Sequence, residues 1–358
     1  MSKPCNTRAT SKKANKQTSK KLLEETSCEY RVFFDRNMGI FSESDQENIR
    51  KAKIMVVGTG GIGGTISIIL ARTGVTNFLL IDMDQYVPTN MNRQIGCFND
   101  TIGKYKVDVL KGEILRINPE AYVETYNRSL SFEEIRGLIK DWDIVVAEAD
   151  DLAYSSKILY MAQEMKKFAV SAMPSGYLGY IMSFPPNNKL IPPETLFGLP
   201  DNLSYEELHT VVESWENKCG RRWYLGEGKW RVKWFREWRA GEKGLTQFCS
   251  GVWLCASLAT TEIIKFLTGK FRAVEAPRAW HVMLADNRIR VEPFSMPNRL
   301  FNKYALKAFS IKIWDIGRRW RNIALGIFDW QLSRAESKEK KMDEEVARRI
   351  QERRKLLE

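Results

Sequence analysis

Ile54-Met55-Val56-Val57-Gly58-Thr59-Gly60-Gly61-Ile62-Gly63 is the stretch on which the fold of this chain turns. Four apolar residues read as a strand, and the glycines after them let the backbone turn tightly, approach a phosphate and pack the next helix on the strand. Ile66, Ile69 and Leu70 follow at helical spacing. About twenty residues on, a second apolar strand ends in Asp82-Met83-Asp84, which places Asp82 to take a ribose hydroxyl. Taken alone, the glycine pattern also suits a turn that binds some other nucleotide.

The alternation continues outward from this point. Strands are expected at 54–57, 78–82, 122–126, 143–147 and 168–171, with helices near 62–73, 104–117, 131–140 and 153–166. That order predicts an α/β fold: a Rossmann-like, doubly wound, mainly parallel sheet with helices on both faces. Ser175 to Pro186 reads as a further apolar strand, followed by a Pro-rich connection through Pro200.

Downstream of Asp84 come Asn90-Met91-Asn92-Arg93-Gln94, Ile102-Gly103-Lys104-Tyr105-Lys106 and Arg116-Ile117-Asn118-Pro119-Glu120. A nicotinamide site has no use for these blocks. With the glycine turn and Asp82 they resemble the ThiF/MoeB/ubiquitin-activating superfamily, whose members use ATP to adenylate the C-terminal carboxylate of a small protein or a related acid. The resemblance runs from Phe34 to Leu267, about two thirds of the chain.

What the resemblance implies can be placed residue by residue. Gly58, Gly60, Gly61 and Gly63 would line the nucleotide phosphates, and Asp82, with Asp84 nearby, would hold the ribose. Asn90, Arg93, Gln94 and Lys106 match positions around the triphosphate, where fixed positive charge offsets the charge that builds as pyrophosphate leaves. Asp150, after the apolar strand Val145-Val146-Ala147, stands where the family usually reads Thr-Asp-Asn and the Asp binds Mg2+, a hard ion suited by oxygen. Asp151 replaces the usual Asn and is expected to cap the next helix. Glu148 would make the metal site more acidic. Phe34-Asp35-Arg36-Asn37-Met38-Gly39 resembles the family's opening motif, so Arg36 is the candidate to reach a partner subunit's ATP. The active unit would then be a homodimer, or a pseudodimer with a related chain. Arg36 beside Asp35 also reads as a local ion pair.

Charge lies mainly at the ends. Residues 1–30 carry a surplus of 4 positive charges and residues 301–358 a surplus of 6, so the ends supply most of the net +12. The body, taken as an adenylation domain over 31–300, is nearly neutral, which removes the argument for a nucleic-acid groove in the core. Residues 1–30 are Lys/Ser/Thr rich, lack a secretory apolar segment and read as a disordered basic arm. No uninterrupted apolar run approaches membrane-spanning length, so a soluble cytoplasmic protein is expected. The six cysteines form no CxxC pair, so no structural zinc is expected.

Residues 201–247 read as an insertion in which Trp215, Trp223, Trp230, Trp234 and Trp238 alternate with arginines and lysines. Two readings stand: a docking face for an acidic partner, or an aromatic satellite core covered by snorkelling arginines. Cys219 lies near the segment where relatives that form thioesters carry a thiol, and is the candidate acyl acceptor. Phe248 to Lys270 resembles the family's late helix. Residues 301–358 form a basic amphipathic helical tail, expected to pack on the body rather than on a membrane.

The function implied is an ATP- and Mg2+-dependent adenylyltransferase that activates the carboxylate of a ubiquitin-like or sulfur-carrier protein, a peptide or a related acid. One alternative is a tRNA-modifying dehydratase similar to tRNA threonylcarbamoyladenosine dehydratase, with tRNA as partner. Another is the noncatalytic nucleotide-binding half of a heterodimer.

Overall fold

The computed structural model describes residues 30–186, 189–196, 199, 201–214, 223–294 and 316–355. In chain order the elements are α1 (Glu43–Lys51), β1 (Lys53–Val57), α2 (Gly61–Thr73), β2 (Asn77–Ile81), α3 (Lys106–Ile117), β3 (Tyr122–Tyr126), α4 (Phe132–Ile139), β4 (Ile144–Ala147), α5 (Leu152–Glu164), β5 (Phe168–Ser175) and β6 (Leu178–Phe184). Then come α6 (Pro193–Leu196), α7 (Tyr205–Glu213), α8 (Trp223–Gly226), α9 (Val232–Arg239), α10 (Cys249–Thr268), β7 (Arg278–Met283), β8 (Arg288–Pro293) and α11 (Ile316–Lys355). The expected elements are all present. β5 runs beyond its expected end because antiparallel β6 pairs with it from Ala169 to Ser175.

One eight-stranded sheet runs β3-β2-β1-β4-β5-β6-β7-β8. The first five strands pair in parallel and the last three antiparallel. Successive side chains of a strand face opposite sides, and here both sides are covered. Met55, Val57, Leu79, Ile81, Val145 and Ala147 pack in one layer with residues of α4 and α5. Ile54, Val56, Phe78, Leu80, Ile144 and Val146 pack in the other with α2, α3 and α10. This two-sided burial explains why β1, β2 and β4 read as continuous apolar runs.

The chain lays β1, β2 and β3 outward in one direction and then returns to place β4 and β5 on the other side of β1. A crevice therefore opens at the carboxyl ends of β1 and β4, the switch point at which open α/β sheets bind ligands.

Among the described residues, α10 is the one helix long and apolar enough, by length and composition, to cross a membrane, although Glu262 and Lys265 interrupt its apolar run. In the fold it packs on α2, β5 and β6 as a core helix. Glu262, fully buried on it, accepts hydrogen bonds from Val274 N at 2.6 Å and Trp280 Nε1 at 2.8 Å, and pairs with Lys265 Nζ at 2.7 Å. A buried carboxylate needs such partners, and they pin α10 to β7.

The insertion is not one unit. Leu208 and Val212 of α7 belong to the main core beside α5. The later part builds a separate cluster, in which Trp230, Val232, Phe235 and Trp238 pack against Phe328 and Leu332 of α11. Arginines surround it: Arg231 pairs with Glu339 and Asp343, Arg236 with Glu336, and Arg239 with Asp329. The satellite-core reading therefore describes this segment, and the acidic groups its arginines meet belong to the chain's own last helix.

Candidate active site in the switch-point crevice

Gly58 leaves β1 at φ +88°, a conformation open to glycine, and a Cβ there would overlap the carbonyl oxygen of Glu148. The loop then enters α2, with Gly60 as its N-cap and no side chain satisfying the first amides. Such a helix start presents N–H groups and the positive end of the helix dipole to an anion.

Two adjoining lobes open from this loop. The first, about 370 Å³, is lined by Gly58, Gly60, Asp82, Asp84, Lys106 and Asp150, with Arg128, Leu130, Tyr154 and Tyr205 opposite. The second, about 500 Å³, is lined by Asn90, Arg93, Gln94 and Lys106. Met83, Asp84, Lys106 and Asp150 border both. The glycine loop, Asp82, Lys106 and Asp150, predicted separately from sequence, thus border the first lobe, and Lys106 and Asp150 also border the second with Arg93.

Asp82 does more than wait for a hydroxyl. Its Oδ2 accepts from Thr59 N at 2.7 Å and Thr59 Oγ1 at 3.1 Å, and its Oδ1 accepts from Asp84 N at 2.9 Å. The carboxylate organises the loop after β1 and the turn after β2, and keeps acceptor capacity on Oδ1. Lys106 begins α3, is 4% exposed, and places Nζ 2.7 Å from Asp84 Oδ2 and 4.0 Å from Asp82 Oδ2. Asn90 caps its own short turn, Oδ1 accepting from Val87 N at 3.1 Å.

Arg93 is held on two of its nitrogens. Nε donates to Gln247 Oε1 at 2.8 Å, and Nη1 donates to Thr89 O at 3.1 Å and Asn92 Oδ1 at 2.9 Å. Burial pushes its pKa down while Asp150 pushes it up; a guanidinium stays charged at neutral pH in either case. Gln94 is buried, and its Oε1 has no partner within the protein. Such an orphan acceptor beside Gly60 is what a ligand donor or water would complete.

Asp150 lies exposed at the mouth, yet the walls of the cleft desolvate its carboxyl and raise its pKa; Lys106 and Arg93 pull it down, and Asp84 and Asp82 push it up. Glu148, expected to add acidity to a metal site, turns to the sheet: Oε1 accepts from Ala172 N at 2.6 Å, and burial raises its pKa well above the carboxylate range. That hydrogen bond ties Glu148 to β5 at the edge of the first lobe. Among the described residues no group of three or more His, Cys, Asp or Glu side chains is arranged to chelate a metal. A magnesium ion at Asp150 would therefore take at most two such side chains, a site of the kind that substrate phosphates and water complete.

Asp151 caps α5 as expected, Oδ1 accepting from Ala153 N at 2.8 Å and Tyr154 N at 3.1 Å. Its other oxygen takes Tyr205 Oη at 2.7 Å and His209 Nδ1 at 3.0 Å. The Asp151 bond raises the Tyr205 pKa to about 12.

One predicted residue stands apart from both lobes. Arg36 sits exposed in a 3-10 turn, Asp35–Gly39, and lines neither lobe. Cys219 lies outside the described residues. Four positions that line or brace the lobes were not expected from sequence. Arg128 and Leu130 follow β3, whose carboxyl end borders the crevice like those of β1, β2 and β4, so strand order could have flagged them. Tyr205 and Gln247 come from the insertion, where no periodicity signals them.

Comparisons with known proteins agree with this geometry. A sequence profile of the ThiF family matches residues 34–300. The chain is 34% identical over 143 residues to a tRNA threonylcarbamoyladenosine dehydratase of Bacillus subtilis, covering 37% of this chain and 52% of that protein. It is 31% identical over 118 residues to a molybdopterin-synthase adenylyltransferase of Escherichia coli, covering 33% and 47%. The chain thus spans about half the length of these curated relatives. In fold it is similar to E. coli MccB solved with ATP, at a TM-score of 0.54 and 19% identity, covering 80% of this chain and 73% of that one.

Proposed function

The chain belongs to the ThiF family, and from that premise we propose that it is an adenylyltransferase, using ATP to convert a carboxylate into an acyl-adenylate. The observation that carries this reading is that Lys106 and Asp150 border both lobes, with the α2 start at Gly60 on the first and Arg93 on the second. The first lobe suits a nucleoside, with Asp82 at the sugar and Leu130 and Tyr154 as apolar wall. The second suits phosphates and the incoming acid.

In the step proposed, a carboxylate oxygen bonds to the α-phosphorus, the bond from that phosphorus to the bridging oxygen breaks, and pyrophosphate leaves with the electron pair. No general base is needed, because a carboxylate is already ionised at neutral pH. The chain contributes position and charge: Lys106 and Arg93 stabilise the negative charge that grows on the leaving oxygens, and the amides at the α2 start orient the phosphates. Magnesium held by Asp150 would neutralise phosphate charge when bound. Arg36 is proposed to act on a second copy of the chain, which makes a homodimer the expected active unit. The acid activated is proposed to be the carboxyl end of a small protein or peptide, on the likeness to molybdopterin-synthase adenylyltransferases.

A carboxylate on tRNA is the second reading, favoured by the 34% identity to the B. subtilis dehydratase and by the basic chain ends. ATP-pyrophosphate exchange with Mg2+, run with peptide acids and with tRNA, separates the two. The expected result is exchange that depends on an added acid and is lost in Asp150→Ala and Arg93→Ala while both variants keep their melting temperature. Exchange retained in Asp150→Ala would sink the assignment of that carboxylate.

A further inference from the structure

We infer that Gln247, which no motif singles out, is the residue that positions Arg93 for the phosphates, an inference that rests on the adenylation reading above. After the insertion the chain returns across the end of β5, where Thr246 O accepts from Gly176 N at 2.9 Å. Gln247 then makes three contacts at once. Its Nε2 donates to Pro174 O at 3.1 Å, its backbone carbonyl accepts from Asn92 Nδ2 at 2.8 Å, and its Oε1 accepts from Arg93 Nε at 2.8 Å. Behind them Trp253 Nε1 on α10 donates to Arg93 O at 2.9 Å. The arginine is fixed at its backbone, at Nε and at Nη1.

That pattern leaves a definite remainder. A guanidinium carries five N–H groups in a rigid fork. Nε contributes one and Nη1 two, and both nitrogens bond to the protein. Among the described residues Nη2 makes no hydrogen bond, and its two N–H groups remain for an anion in the lobe that Arg93 lines. The acceptor that sets this orientation is an amide rather than a carboxylate. A glutamate at 247 would hold Nε equally well but would cancel the charge the site needs, at a residue already partly desolvated. Gln247 orients the cation without neutralising it.

The return segment also ties the lobe to the insertion. Trp234 Nε1 of α9 donates to Gly244 O at 3.1 Å, three residues before Gln247. The orientation of Arg93 therefore depends on where the insertion ends.

The test is a double-mutant cycle read by pyrophosphate exchange and by calorimetric binding of Mg2+-ATP. Removing a hydrogen bond to a charged group is worth about tenfold or more. Gln247→Ala should lower exchange at saturating ATP by about that factor, and Gln247→Glu by at least as much despite its similar size and retained acceptor. In an Arg93→Lys background, which keeps the charge but has no Nε to position, Gln247→Ala should be nearly silent. The same loss in both backgrounds would show that Gln247 acts through packing and would overturn the inference, as would full activity in Gln247→Glu. If wild-type protein shows no exchange with any acid, the adenylation reading fails. Mg2+-ATP affinity then still tests the Gln247 arm, because the same pattern is expected in binding.

Discussion

Tyr205 donates its hydroxyl to Asp151 Oδ2 at 2.7 Å across 54 residues of sequence, so the neighbour of Asp150 is held by a helix from the insertion. Tyr205 also lines the first lobe, where its ring meets Phe132 at 5.3 Å. One side chain thus forms part of the wall and steadies the loop behind it.

Tyr205→Phe keeps the ring and deletes this bond. A hydrogen bond to a charged acceptor contributes about 1.5–3 kcal/mol, and His209 still holds Asp151, so the expected loss in ATP affinity is at the lower end, about tenfold. Fluorescence titration with ATP measures it. An affinity equal to wild type would show that Asp151 needs no support from α7.

Phe235 is fully buried between α9 and Phe328 of α11. Truncating a buried Phe to Ala costs about 3–5 kcal/mol, and much of what holds α11 is this contact plus exposed ion pairs, which contribute little each. Phe235→Ala is expected to release α11, seen as faster amide hydrogen exchange over 323–345 with unchanged protection in β1, β2 and β4. Retained protection of α11 would mean that the ion pairs suffice.

His281 packs edge-on against the Tyr180 ring at 4.7 Å, and its Nε2 is buried without a partner in the protein. Burial lowers its pKa from the ordinary value of about 6.5. The unfolded chain then binds a proton more readily than the folded one, so stability is full above about pH 6.5 and falls as pH drops toward the folded pKa. His281→Phe should flatten the fall in melting temperature between about pH 7 and 5. Glu148, with its raised pKa, acts in the opposite direction, lowering stability as pH rises. The chain has one other histidine, so His209→Gln is the control; a slope unchanged in His281→Phe would remove the assignment.

How much of this could be read in advance follows from range. Strand and helix periodicities are local, so β1 to β5 and the residues at their carboxyl ends, Gly58, Asp82 and Asp150, could be placed from sequence. Lys106, Asp84 and Arg93 were legible through a family pattern, though the pairing of Lys106 with Asp84 and the part of Gln247 were not. Tyr205 and Gln247 reach the crevice only because the insertion leaves and re-enters beside it. The Trp and Arg pattern allowed two readings that differ only in what faces the arginines, and Asp329, Glu336, Glu339 and Asp343 lie about a hundred residues away. The role proposed for Arg36 involves a second copy of the chain.

Both ends of the insertion are masonry of the crevice, Tyr205 at one side and Gln247 at the other, whereas Trp230, Val232, Phe235 and Trp238 between them fold onto α11. The segment is therefore not a cassette. Excising 201–247 whole, or grafting it into a relative, moves two catalytic-cleft supports along with it. A shorter cut between α7 and Gly244, taken together with α11, spares Tyr205 and Gln247 but removes, with the satellite cluster, the Gly228 carbonyl that accepts from Tyr177 N at 3.0 Å. Redesign of substrate scope in this scaffold has its natural splice points inside the insertion rather than at its borders.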